Sequence, residues 1–101
     1  MDITQKLKAD LAESKPTLIE FYATWCPHCQ REMPIIDELR NVMGDKANII
    51  QIDVDKEPKL TEEWGVEHYP AFFVYKDGTE FWHDEGEKPL SELKDMLDRV
   101  I

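Results

Sequence analysis

A chain of 101 residues has room for one domain, so residues 1–101 are read as a single unit. Hydrophobic residues make up 42% of it and aromatic residues 10%, an ordinary globular composition that excludes general disorder. The 22 acidic and 12 basic residues leave a net charge of −10, the opposite of the basic footprint that nucleic acid requires, and an anionic membrane surface would repel it.

In chain order, Ile3, Leu7 and Leu11 recur every four residues and predict an amphipathic helix, stopped at Lys15 and Pro16. The segment from Met1 to Ser14 alternates charge with aliphatics and lacks the apolar stretch of a signal peptide. No run approaches the ~20 apolar residues of a membrane span. The expected setting is cytoplasmic, or exported if a signal peptide has been removed. Thr17 to Ala23 is a short apolar run suited to a buried strand. From Pro27 the period turns helical, with Met33, Ile36, Leu39, Val42 and Met43 along one stripe, Pro34 inside it as a kink and Gly44 as the stop. Asn48 to Val54 reads as a second buried strand, and Pro58 to Trp64 as a short helix ended by Gly65. Ala71 to Tyr75 is a third strand; Lys76-Asp77-Gly78-Thr79 signals a hairpin that returns through Glu80 to His83. Pro89 opens a last helix at its first position, with Leu90, Leu93, Leu97 and Val100 on one face. The alternation predicts an α/β fold: one mixed sheet, mainly parallel with a terminal hairpin, flanked by helices on both faces.

The chemistry concentrates in Ala23-Thr24-Trp25-Cys26-Pro27-His28-Cys29, where a strand ends and a helix begins. Two cysteines are too few for a disulfide-stapled scaffold and half of what a four-cysteine zinc site needs. At this spacing on a first helical turn they can close and reopen a small disulfide ring. Pro27 suits the first helical position, which needs no amide donor. Cys26 then meets the free N–H groups and positive dipole end of the helix, which favour its thiolate, the form that attacks disulfides. Cys29 lies one turn deeper and would resolve the mixed disulfide. The His28 imidazole is placed to donate to the Cys26 sulfur or add positive charge beside it, or else it faces solvent. Strand alternation puts Glu20 on the side of Leu18 and Tyr22; a carboxyl there would have a raised pKa and could take the Cys29 proton, unless it points into solvent. His68 and His83 read as surface residues, Trp64 and Trp82 as packing. Asp53 and Asp55 are close in sequence, but nothing completes a metal site, so no metal is expected.

The stretches Phe21-Tyr22-Ala23-Thr24-Trp25-Cys26-Pro27-His28-Cys29, Trp64-Gly65-Val66-Glu67-His68-Tyr69-Pro70 and Phe73-Val74-Tyr75-Lys76-Asp77-Gly78, with Pro34 and Gly86, fall at spacings that need no insertions. In them the chain resembles the thioredoxin family over nearly its whole length. The resemblance implies the thioredoxin-like fold, a redox-active Cys26–Cys29 disulfide in place of any other cofactor, and a cis peptide at Tyr69–Pro70. That turn would lie beside Cys26 and offer Tyr69's backbone to a substrate strand. The family's buried acid aligns with Glu20, and the lysine often paired with it aligns with Gln51. Thioredoxins usually carry Gly-Pro between the cysteines; Pro27-His28 is similar to the pair in the bacterial oxidant DsbA. The family's amino-terminal strand is reduced or absent. The function implied is thiol–disulfide exchange on protein substrates, by a monomer that a reductase or oxidant recycles, with Trp25, Pro27, His28 and Glu20 in support. Two alternatives stand beside it: a metal or iron–sulfur module in which two chains share their thiolates, and an interaction domain with no redox role.

Overall fold

The computed structural model describes residues 3–101. Its elements are α1 (Ile3–Ala12), β1 (Thr17–Tyr22), α2 (Pro27–Met43), a single 3-10 turn (Gly44–Lys46), β2 (Asn48–Asp53), α3 (Pro58–Glu63), β3 (Ala71–Lys76), β4 (Thr79–Glu85) and α4 (Leu90–Asp98). Among the described residues no strand precedes β1.

The strands form one sheet in the order β2-β1-β3-β4. β1 runs parallel to β2, with Ile19 opposite Ile50, and antiparallel to β3, with Ile19 opposite Phe73. β3 and β4 are antiparallel. The sheet is therefore mixed, as expected, but its parallel part is the β1–β2 pair, because β3 runs against β1. Helix length explains the difference. The 17 residues of α2 rise about 25 Å and carry the chain back along the sheet, so β2 starts where β1 started. The 6 residues of α3 rise only about 9 Å, less than half the length of a strand this size. The chain stays at the end where β2 finished, and β3 sets out from there in the opposite direction.

Alternation along the strands makes two core layers. Ile19 and Phe21 of β1 and Phe73 of β3 meet Leu7 of α1 and Leu60 of α3 on one face. Leu18 of β1 and Phe72 and Val74 of β3 meet Ile36, Leu39 and Met43 of α2 and Leu93 and Leu97 of α4 on the other. Helices thus cover both faces, as the sequence predicts. β4 is the uncovered element: at the sheet's edge, it is exposed at every position except Trp82.

Three local expectations need adjusting. The buried stripe of α2 is Cys29, Glu32, Ile36, Leu39 and Met43, while Met33 and Val42 are 39% and 40% exposed. Apolar residues lie on both sides of the true stripe, and hydrophobicity alone picked a phase that skips Glu32. Pro34 lies within α2 but on its solvent side rather than in the buried stripe, where water can satisfy the carbonyl its ring leaves free. Pro89 is the cap of α4 rather than its first residue: its ψ of 156° is extended, and its carbonyl already accepts from the Glu92 and Leu93 amides. The hairpin follows the Asp-Gly signal, with Asp77 at φ 52° and Gly78 at φ 76°, the paired left-handed residues of a two-residue turn.

Candidate active site

β1 ends at Tyr22, and the chain turns through Ala23–Trp25 into α2. The Cys26 amide donates to the Ala23 carbonyl at 3.2 Å, which fixes that turn. Cys26 is the extended N-cap of α2 and Pro27 its first helical residue. Both cysteines are free thiols; Cys26 is 8% exposed and Cys29 1%.

Their acidities are driven apart. At Cys26 burial raises the pKa, but the Cys29 amide and side chain, the His28 amide and the Arg31 guanidinium outweigh it, and the net shift is downward. Cys29 is pushed up to about 12, chiefly by burial; hydrogen bonding to Cys26 and the charges of Cys26 and Glu20 add to the rise, against the pull of the Ala23 amide 3.5 Å from its sulfur. A cavity of about 170 Å³, lined by Tyr22, Ala23, Thr24, Cys29, Gln30 and Met33, opens beside the deeper sulfur. It admits water but not a protein segment.

The His28 side chain does not reach toward the sulfur. Its Nδ1 lies 2.6 Å from Glu87 Oε2 and 2.8 Å from Arg31 Nη2. Arg31 grips the same Glu87 carboxylate through Nε at 2.9 Å and Nη2 at 2.8 Å. Glu87 is held down to about 2, first by the Arg31 hydrogen bonds and then by His28. The support that His28 gives Cys26 is therefore its backbone N–H, and the cation acting on Cys26 is Arg31. Arg31 and Glu87 are absent from the sequence reading; the available signal was Arg31's place three residues after His28, on the same helix face.

Glu20 is fully buried on the α2 face of the sheet. Its Oε1 accepts from Gln51 Nε2 at 2.9 Å, and Gln51 Oε1 accepts from Arg40 Nη2 at 2.9 Å, a polar chain leading outward. Burial raises Glu20 to about 7; Gln51's donation pulls it down, the Glu32 charge adds to the rise and Arg40 lowers it. Glu32, which the sequence reading passed over, is also fully buried and accepts the Lys88 amide at 2.9 Å. Cys29, Glu32, Ile36 and Leu39 follow the helical period, and that spacing was the signal for it.

The Tyr69–Pro70 peptide is cis. The Tyr69 carbonyl oxygen lies 3.9 Å from Cys26 Sγ, so this turn does sit beside the outer sulfur. Trp25, 62% exposed, stands edge-on to the Tyr69 ring at 6.2 Å and donates its indole N–H to Asp55 at 2.8 Å. Asp55 thus positions the rim of the site. His68 and His83 are exposed. His83 stacks on Phe73 and pairs with Glu80, while Trp64 packs against Phe21 and Phe73. Among the described residues no three His, Cys, Asp or Glu side chains gather as a metal site.

Comparison with known proteins bears on the whole of this arrangement. The family model described as Thioredoxin matches residues 2–99. Thioredoxin of Bacillus subtilis (strain 168) is 34% identical over 97 residues, 96% of this chain and 92% of that protein. Thioredoxin Y2, chloroplastic, of Arabidopsis thaliana is 36% identical over 87 residues, 86% of this chain and 52% of that protein. The chain spans about half the length of the chloroplastic relatives it matches. The solved structure of Malassezia sympodialis thioredoxin (Mala s 13) superposes with a TM-score of 0.83 at 27% identity, over 95% of this chain and 84% of that one.

Proposed function

Since the chain belongs to the thioredoxin family, we propose that it is a thiol–disulfide oxidoreductase that reduces disulfides of other proteins. The observation that carries this reading is the placement of the two sulfurs, Cys26 at the N-cap of α2 beside the Tyr69 carbonyl and Cys29 buried one turn beneath, with their acidities driven apart to match.

The Cys26 thiolate attacks one sulfur of the substrate disulfide, forming a mixed disulfide and releasing the other substrate sulfur as thiolate. Cys29 then gives its proton to the Glu20 carboxylate, directly or through a bridging water, and Glu20 near 7 is matched to that task. The Cys29 thiolate attacks the Cys26 sulfur, and the second substrate thiolate leaves. The substrate has gained two electrons, and the Cys26–Cys29 pair, now a disulfide, has lost them. A recycling reductase returns them, and no cofactor beyond this pair enters the cycle. Tyr69 and Pro70 form the wall against which a substrate strand lies, with the exposed Trp25 as its rim. Both sulfurs needed for a turnover lie in one chain, which supports a monomer as the working unit. A cytoplasmic setting goes with a thiol pair kept reduced by its partner.

The test is a pair of trapping variants. Cys29→Ser should halt at the mixed disulfide and retain substrate proteins on non-reducing gels, while Cys26→Ser should retain almost none. Equal trapping by the two would reverse or abolish the assignment. Wild-type protein should also speed insulin reduction by dithiothreitol, and Cys26→Ser should not.

A further inference from the structure

Among the described residues, the buried side-chain atoms with no hydrogen-bond partner are Glu20 Oε2 and Glu32 Oε2. Both side chains are fully buried, and both lie between the sheet and α2. Glu20 projects from β1 on the side of Leu18. Glu32 projects from the stripe of α2 that also carries Cys29 and Ile36. Each acid has one donor, Gln51 Nε2 for Glu20 and the Lys88 amide for Glu32, and each keeps one bare oxygen. A buried carboxylate with a bare oxygen is costly, and two that feel each other cannot both ionise cheaply. A structural acceptor for the Lys88 amide does not need an acid, since a neutral amide oxygen would serve.

We propose that Glu32 is a positioning residue of the redox cycle: its carboxyl and that of Glu20 titrate as one coupled pair, and the charge on Glu32 governs when Glu20 can take the Cys29 proton. The inference rests on Glu20 being the acceptor. The surrounding charges fit it. Glu20 faces Gln51 of β2, Arg40 and Glu32 of α2, and Cys29. Glu32 faces Glu87 and Lys88 of the segment before α4, and the Lys88 ammonium is itself drawn off to Asp84 at 3.2 Å and to the Glu85 carbonyl at 2.8 Å. Burial raises both acids, and ionised Glu32 raises Glu20 further. When Glu32 holds a proton, Glu20 is the weaker base and ionises at lower pH. When Glu32 is charged, Glu20 is the stronger base and waits for higher pH.

The experiment follows release of thionitrobenzoate from its mixed disulfide with Cys26 in single turnovers across pH 5 to 9. Wild type should show an acid limb, and Glu20→Gln should lose it. Glu32→Gln keeps an acceptor for the Lys88 amide but carries no charge. Its limb should move down by about half a pH unit or more, with a lower plateau because a weaker base is at work. If the limb survives in Glu20→Gln, the acceptor reading fails and this one with it. If the limb is lost there but unmoved in Glu32→Gln, the pairing alone is overturned. Carbon-13 titration of the two carboxyls in the wild-type protein asks the same question without a variant. Each carboxyl should report both steps of a shared titration, and two independent single steps would overturn the proposal.

Discussion

At Cys26 two of the groups that favour the thiolate are backbone amides, those of Cys29 and His28, and this changes what the residues between the cysteines do. Replacing Pro27-His28 by Gly-Pro puts a proline where the His28 N–H now stabilises the thiolate. The Cys26 pKa should rise and the reduction potential fall, measured against glutathione. A potential unchanged within about 10 mV, near 0.5 kcal/mol for a two-electron couple, would count against the amide's role. Glu20 gives a second expectation, from stability. Its folded pKa of about 7 lies above its ordinary 4.5, so between those values the folded state holds more protons than the unfolded one. The reduced protein is favoured at low pH by this group and loses about 2–3 kcal/mol between pH 5 and 8. Denaturant titrations of Glu20→Gln should lack that loss. The places of Cys26, Cys29 and Glu20 were legible in the sequence from a motif and a strand position, and those of Tyr69 and Pro70 only through the family resemblance. Arg31, Glu32 and Glu87 were not, because a charged residue on a helix or loop ordinarily faces water, and only the fold brings residues 31 and 87 together.

Among the elements, the segment between β4 and α4 is fastened to α2 twice within two residues. Glu87 holds His28 and Arg31 on the outside, and the Lys88 amide is held by Glu32 within. Glu87→Ala removes the outer fastening alone. Amide exchange should quicken over residues 86–87, while the β1 amides paired with β3 keep their protection. The Cys26 pKa should change little, because Arg31 stays on its helix. Leu97→Ala, by contrast, opens a hole under α4 where the side chain is fully buried and should cost about 2–5 kcal/mol by denaturation. Element identity and order were readable throughout, from short apolar runs and 3.6-residue stripes. The direction of β3 was not, since it depends on how far six helical residues can carry a chain, and the phase of α2 was not, since apolar residues flank its buried stripe on the surface.

At the scale of the molecule, a net charge of −10 surrounds a nucleophile whose cationic neighbour is Arg31. Encounter with a cationic peptide disulfide should be faster than with an acidic one of the same length. Raising the ionic strength from about 0.05 to 0.5 M should narrow the gap, as stopped-flow rates would record. The same charge bears on β4, the exposed edge of the sheet, whose unpaired backbone is a template for another strand. Glu80, Asp84 and Glu85 stand along it, so two such edges brought together would meet acid against acid. The colloidal steadiness of a concentrated solution therefore owes a share to these three side chains. Replacing them with serine would lower the barrier to growth, and each chain could then offer its border as the seam for the next.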